Sequence, residues 1–120
     1  MNYGININEG KAYLVCDSAE TPLRTEQDAL DLIAASYEHN VKHIMLHADV
    51  LSEDFFKLGT GLAGSVLQKF VNNQVKVAAI VPSDRHIGGR AKEMLDESNK
   101  GNDFKVFADI SEAEKWLLSQ

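Results

Sequence analysis

Gly59, Thr60, Gly61 and Gly64 form the one short pattern in this chain whose residue types and spacing suit a polar ligand. Apolar Leu62, Ala63, Val66, Leu67, Phe70 and Val71 follow at helical spacing, so Thr60 stands at the opening of a helix running to about Asn73. Glycines there leave backbone N–H groups uncovered, and the helix dipole adds partial positive charge. That combination would hold phosphate, carboxylate or sulfate, or would present Thr60 for phosphorylation. The plain alternative is that Thr60 is an ordinary N-cap and the glycines allow tight helix-to-sheet packing. Arg85 and Arg90, which flank Gly88 and Gly89 in an expected loop, would close over an anion at Thr60. Solvated surface arginines are the competing reading.

A second group consists of polar residues that each stand just after an expected strand: Asp17, then His47 and Asp49, then Ser83, Asp84, Arg85 and His86, then Asp109. In an open parallel sheet ligands bind beyond the carboxyl ends of the strands, so these form a candidate polar edge. His47, Asp49 and His86 are of the types that bind zinc or a heavier first-row ion, or that pair a base with an orienting acid. No recognised ligand spacing links them, so no metal site is assigned and no cofactor is implied. His43 falls within a strand and His39 at a helix end, where a cation is favoured. Cys16, the single cysteine, has no adjacent base and reads as a small apolar group. Phe55, Phe56 and Trp116 read as core aromatics.

The elements that must position these residues follow from periodicity. Tyr3, Ile5 and Ile7 alternate with polar residues, as in an edge strand, and Asn8, Glu9 and Gly10 turn the chain into the apolar run Ala12 to Cys16, making a hairpin. Thr25 and Asp28 form a capping box for a helix over about Glu26 to His39. His43 to His47 is a buried strand, and Val75 to Val81 is another, stopped by Pro82. Ala91, Met94 and Leu95 mark a shorter helix stopped at Asn99 or Gly101, and Phe104 to Ala108 is the last strand. Ser111 and Glu114 predict a second capping box, with Ala113, Trp116 and Leu117 packing the final helix onto the sheet. The order β-β-α-β-α-β-α-β-α predicts an α/β fold: a five-stranded mixed, mostly parallel sheet with four helices and an antiparallel edge strand. Residues 1–120 are expected to form a single domain, there being no linker, repeat or low-complexity segment.

Composition narrows the partners. With 120 residues, 44% hydrophobic and 25% charged, the chain is an ordinary globular sequence with a single core. A net charge of −6 without any basic run argues against nucleic acid and anionic membranes as partners. One cysteine and no secretion-type leader at Met1 to Gly4 lead to the expectation of a soluble cytoplasmic protein.

The element order resembles that of STAS domains, the sulfate-transporter and anti-sigma-factor-antagonist family, over nearly the whole chain. Those domains carry an Asp-Ser-Ser-Gly-Leu-Gly type turn whose second serine is phosphorylated by a partner kinase. Here the matching stretch runs Leu58, Gly59, Thr60, Gly61, Leu62, with Thr60 in the place of the phosphorylated serine. It departs at Leu58, where an acidic residue belongs, and at Gly59, where the first serine belongs. The string from Phe55 to Phe70, with Glu97, Ser98, Asn99, Lys100 and Gly101, also resembles an uncharacterised bacterial domain-of-unknown-function family. The resemblance implies a noncatalytic regulatory domain acting through an unknown protein partner around the Thr60 helix. A small-anion or small-ligand binder at that helix opening stands second. A hydrolase or metal-dependent enzyme at the polar edge stands third, because no activated nucleophile is visible. A homodimer is compatible with all three.

Overall fold

The computed structural model describes residues 3–16, 23–51, 61–82 and 89–120. Strand β1 (Gly4–Asn8) pairs antiparallel with β2 (Lys11–Cys16). The intervening Glu9 and Gly10 have φ of 54° and 80°, the positive values at both positions that match the twist of a two-residue hairpin. Helix α1 (Glu26–Glu38) opens with the expected capping box: the Thr25 hydroxyl accepts from the Asp28 N–H, and the Asp28 carboxylate accepts from the Thr25 N–H. His39 is its C-terminal cap residue.

Strands β3 (His43–His47), β4 (Lys76–Ile80) and β5 (Phe104–Phe107) continue the sheet in parallel, in the spatial order β1-β2-β3-β4-β5. Helices α2 (Leu62–Asn72) and α3 (Gly89–Lys100) make the crossovers, and α4 (Ile110–Leu118) ends the described chain. The fold is therefore the expected α/β arrangement, with one antiparallel pair and the remaining pairs parallel. Strand order equals chain order, and crossovers are right-handed, so successive connections all advance in one direction and lay α1, α2 and α3 on one face. The two cores confirm this. The larger joins Leu14, Ile44, Leu46, Val77 and Phe104 of the sheet to Leu32, Val66 and Phe70 of the helices, with Phe70 and Phe104 stacked at 6.4 Å. The smaller joins Tyr13, Met45, Ala78 and Ile80 on the opposite face to Ala113 and Leu117 of α4.

Four details differ from the sequence expectation. The chain enters α4 two residues earlier than Ser111 implies: Asp109, in extended geometry at φ −138°, accepts from the Glu112 N–H at 2.9 Å, and Ser111 lies inside the first turn. Glu114 is thereby released from capping and reaches across to the hairpin. In α2, Ala63 rather than Leu62 is the fully buried residue of the first turn, with Leu62 only partly covered. Helix α3 starts at Gly89, so Gly89 and Arg90 belong to its first turn and not to a loop. In β1, Ile5 packs on the larger core but Ile7 stays 73% exposed, because no described helix extends over the hairpin tip.

The two sheet edges are finished differently. On β5 the side chain of Asn99 acts as a piece of strand: its Oδ1 accepts from the Val106 N–H at 2.7 Å and its Nδ2 donates to the Val106 carbonyl at 3.4 Å. One amide thus satisfies both edge-facing groups of Val106, a guard against pairing with another chain.

Candidate functional site

At the carboxyl edge, β3 brings His47 to its last position, half-buried, and a single 3-10 turn, Ala48–Val50, carries Asp49 into solvent. No hydrogen bond or ion pair joins His47 to Asp49. Asp17, Asp84, Arg85 and His86 lie outside the described residues, as do Gly59, Thr60, Phe55 and Phe56. Among the described residues no group of three or more His, Cys, Asp or Glu side chains is placed to hold a metal. Cys16 is fully buried in the larger core, as its reading as an apolar group requires. The parallel strands follow one another without a reversal of order, so the described sheet has no switch-point crevice of the kind that seats ligands in doubly wound folds.

What the carboxyl edge does present is the opening of α2. Its N-cap is Gly61, not Thr60, and it sits in the left-handed region at φ +69°, a conformation that strains any residue with a Cβ. As a glycine, this N-cap contributes no side-chain cap of its own. The first intrahelical bond runs from the Ser65 N–H to the Gly61 carbonyl, and the amides of Ala63 and Gly64 ahead of it have no backbone partner among the described residues. Gly61 and Gly64 are both exposed, and a Cβ built on either meets nothing within 4 Å. Tight packing against the described sheet is therefore not what these glycines serve.

The opposite, amino edge holds a feature that spacing did not reveal. A cavity of about 490 Å³ lies where β2 and β3 begin and α4 ends. Its apolar wall includes Tyr13, Val41, Leu117 and Leu118, and its polar side chains are Lys11, Asn40, Lys42, His43 and Gln120. The Lys11 ammonium donates to the Leu118 carbonyl. Burial pushes the His43 pKa below its usual value; the Gln120 backbone opposes this, and the charges of Lys11 and Lys76 add to it. Lys76, the neighbour of His43 across the β3–β4 pair, is itself paired with Asp103 at 2.8 Å.

Beside this cavity a polar clamp fixes α4 to the hairpin. Tyr13, 1% exposed, donates its hydroxyl to Glu114 Oε2, while Asn8 Nδ2 donates to Oε1 of the same carboxylate at 2.7 Å. Burial first, then the bond to Glu114, raises the Tyr13 pKa above its usual value. Lys11 and Lys42 were not singled out from sequence, and Glu114 was read only as part of a capping box with Ser111. The one available signal was that Lys11, Lys42 and Lys76 each stand at or just before the first residue of a strand.

Fold and site together define a small α/β domain whose described residues place three crossover helices on one face and a single helix on the other. The profile of the domain of unknown function family DUF4180 matches residues 8–117, and the chain belongs to that family. Neither the curated proteins nor the solved structures yield a match. Among the described residues no helix is long and apolar enough to cross a membrane.

Proposed function

We propose that this chain is a noncatalytic regulatory domain, STAS-like in architecture, that works through protein contacts around the opening of α2. The observation that carries the reading is the open space over Gly64. A glycine inside a helix costs about 0.5–1 kcal/mol relative to alanine. Here no described neighbour requires it, since a Cβ would meet nothing within 4 Å. A surface kept bare of side chains at the opening of a helix suits close approach of a partner's backbone. The STAS resemblance supports the same place, because Thr60, its counterpart of the phosphorylated serine, immediately precedes the Gly61 cap. The lone buried Cys16 supports a reducing, cytoplasmic setting.

The test uses the conflict between stability and contact. Gly64→Ala should stabilise the free domain by about 0.4–1 kcal/mol, because the site accepts a methyl group and the unfolded chain loses freedom. Gly64→Gln should fold equally well yet lose the proteins that co-purify with the unaltered chain, and Thr60→Glu should lose the same set by placing charge in the contact. An unchanged set of co-purifying proteins in both variants sinks the reading. A small anion at the same opening is the second reading, favoured by a glycine N-cap that contributes no side-chain cap of its own. Sulfate would then raise the melting temperature beyond chloride at matched ionic strength, and Arg90→Ala would blunt the rise.

A further inference from the structure

We propose that the amino-edge cavity is a binding site for a small organic anion, a carboxylate with an apolar body, held by Lys11 and Lys42 over a floor formed by Tyr13, Leu117 and Leu118. This goes beyond the contacts assigned to α2, which open at the other edge of the sheet. At about 490 Å³ the cavity has the volume of a small-molecule site, and its mixture of an apolar wall with a few convergent polar groups is the usual composition of one.

Charge selects the ligand. The chain carries −6 overall, yet no Asp or Glu side chain lines this cavity, whereas Lys11, Lys42 and His43 do. Lys76, on the adjoining strand, is neutralised by Asp103, but Lys42 has no ion-pair partner among the described residues. Lys11 spends one of its three N–H donors on the Leu118 carbonyl, leaving two for a ligand. The bond from Lys11 to the Leu118 carbonyl also covers the negative end of the α4 dipole, which would otherwise repel an anion. A carboxylate bridging Lys11 and Lys42 is thus drawn by two cations, and its apolar body replaces water against leucine and tyrosine carbon.

A purely structural role would leave Lys11 as a cap on α4 and give Lys42 nothing to do. The experiment therefore turns on Lys42, which is exposed and outside that cap. The probe is 2-naphthoate, with 2-naphthylmethanol as its uncharged counterpart, titrated into the intact chain and followed by amide chemical shifts and by naphthalene fluorescence. The expected result is saturable one-to-one binding of naphthoate, with shifts concentrated at Gly10 to Tyr13, Asn40 to His43 and Leu117 to Gln120. The alcohol should bind about tenfold more weakly, because it lacks the charge-assisted bonds. Lys42→Glu should weaken naphthoate by about fivefold or more and leave the alcohol unchanged. Lys42→Arg should retain binding. Equal affinity for acid and alcohol, an affinity for naphthoate untouched by Lys42→Glu, shifts confined to another surface, or no saturation at millimolar probe would each overturn the proposal.

Discussion

Replacing Tyr13 by Phe removes one oxygen from the centre of the clamp between the hairpin and α4 and changes almost nothing else. The ring is 1% exposed and stays packed against Met45, Ala78 and Leu117, so no cavity opens. What is lost is a hydrogen bond to the carboxylate of Glu114, together with a long one accepted from Asn6 at 3.5 Å, and bonds to charged groups contribute about 1.5–3 kcal/mol. Glu114 is only half-buried and keeps its bond from Asn8 at 2.7 Å, which places the expected loss near the lower end, about 1.5 kcal/mol. At about 2.1 cal/mol/K of unfolding entropy per residue, that loss lowers the melting temperature of a 120-residue domain by about 6 °C. Circular dichroism with heat and urea measures it, and a cycle with Glu114→Ala should return a coupling of about 1 kcal/mol. The same bond has a signature in alkali. The folded pKa of Tyr13 lies above its unfolded value near 10, so the unfolded chain releases a proton there that the folded chain retains. Stability falls as pH rises above 10, and Tyr13→Phe should show less of that fall. A loss under about 0.5 kcal/mol, the range of an inert surface change, or a cycle with no coupling, would refute the clamp.

Capping of α4 offers a direct comparison: Asp109→Ala should cost about 1 kcal/mol, whereas Ser111→Ala should stay within about 0.5 kcal/mol, as paired urea melts would show. His43 sets an acid dependence. Its folded pKa is lowered, chiefly by burial, so below the unfolded value near 6.5 the unfolded chain takes up a proton that the folded chain resists. Stability should decline as pH falls from 7.5 through that range, and His43→Gln should flatten the decline in melts recorded at matched salt. Asn99→Leu should cost about 1–2 kcal/mol by stripping both bonds from Val106, and its static light scattering should become concentration-dependent as the β5 edge opens.

The strands were readable because burial on both faces writes itself as continuous apolar runs, as in Val77 to Ile80, while β1 showed as alternation of Ile5 and Ile7 with polar residues even though only Ile5 packs on the core. The α1 cap was readable because Thr25 and Asp28 act locally. The α4 cap was not, since Asp109 and Ser111 are both good cap residues standing three before a glutamate. Packing of Ala113 and Leu117 on the sheet decides between them. The opening of α2 was legible from the residues around Thr60, but only a backbone angle shows that Gly61, the next residue, turns the chain left-handed and is the N-cap. The amino-edge cavity escaped because Lys11, Lys42 and Leu118 are far apart in sequence and share no spacing rule. Attention went instead to the carboxyl edge, where most of the polar candidates lie outside the described residues.

Because α4 is the one element among the described residues that shields the second face of the sheet, the order in which the chain is synthesised matters. Strands β1 to β5 and their three crossover helices all leave the ribosome before Ile110 does. During that interval Tyr13, Met45, Ala78 and Ile80, each nearly inaccessible in the finished fold, form a bare apolar sheet surface. A nascent chain at that stage is a natural client for a chaperone, and a nonsense mutation just upstream of Ile110 would release a sticky sheet rather than a slightly shortened domain.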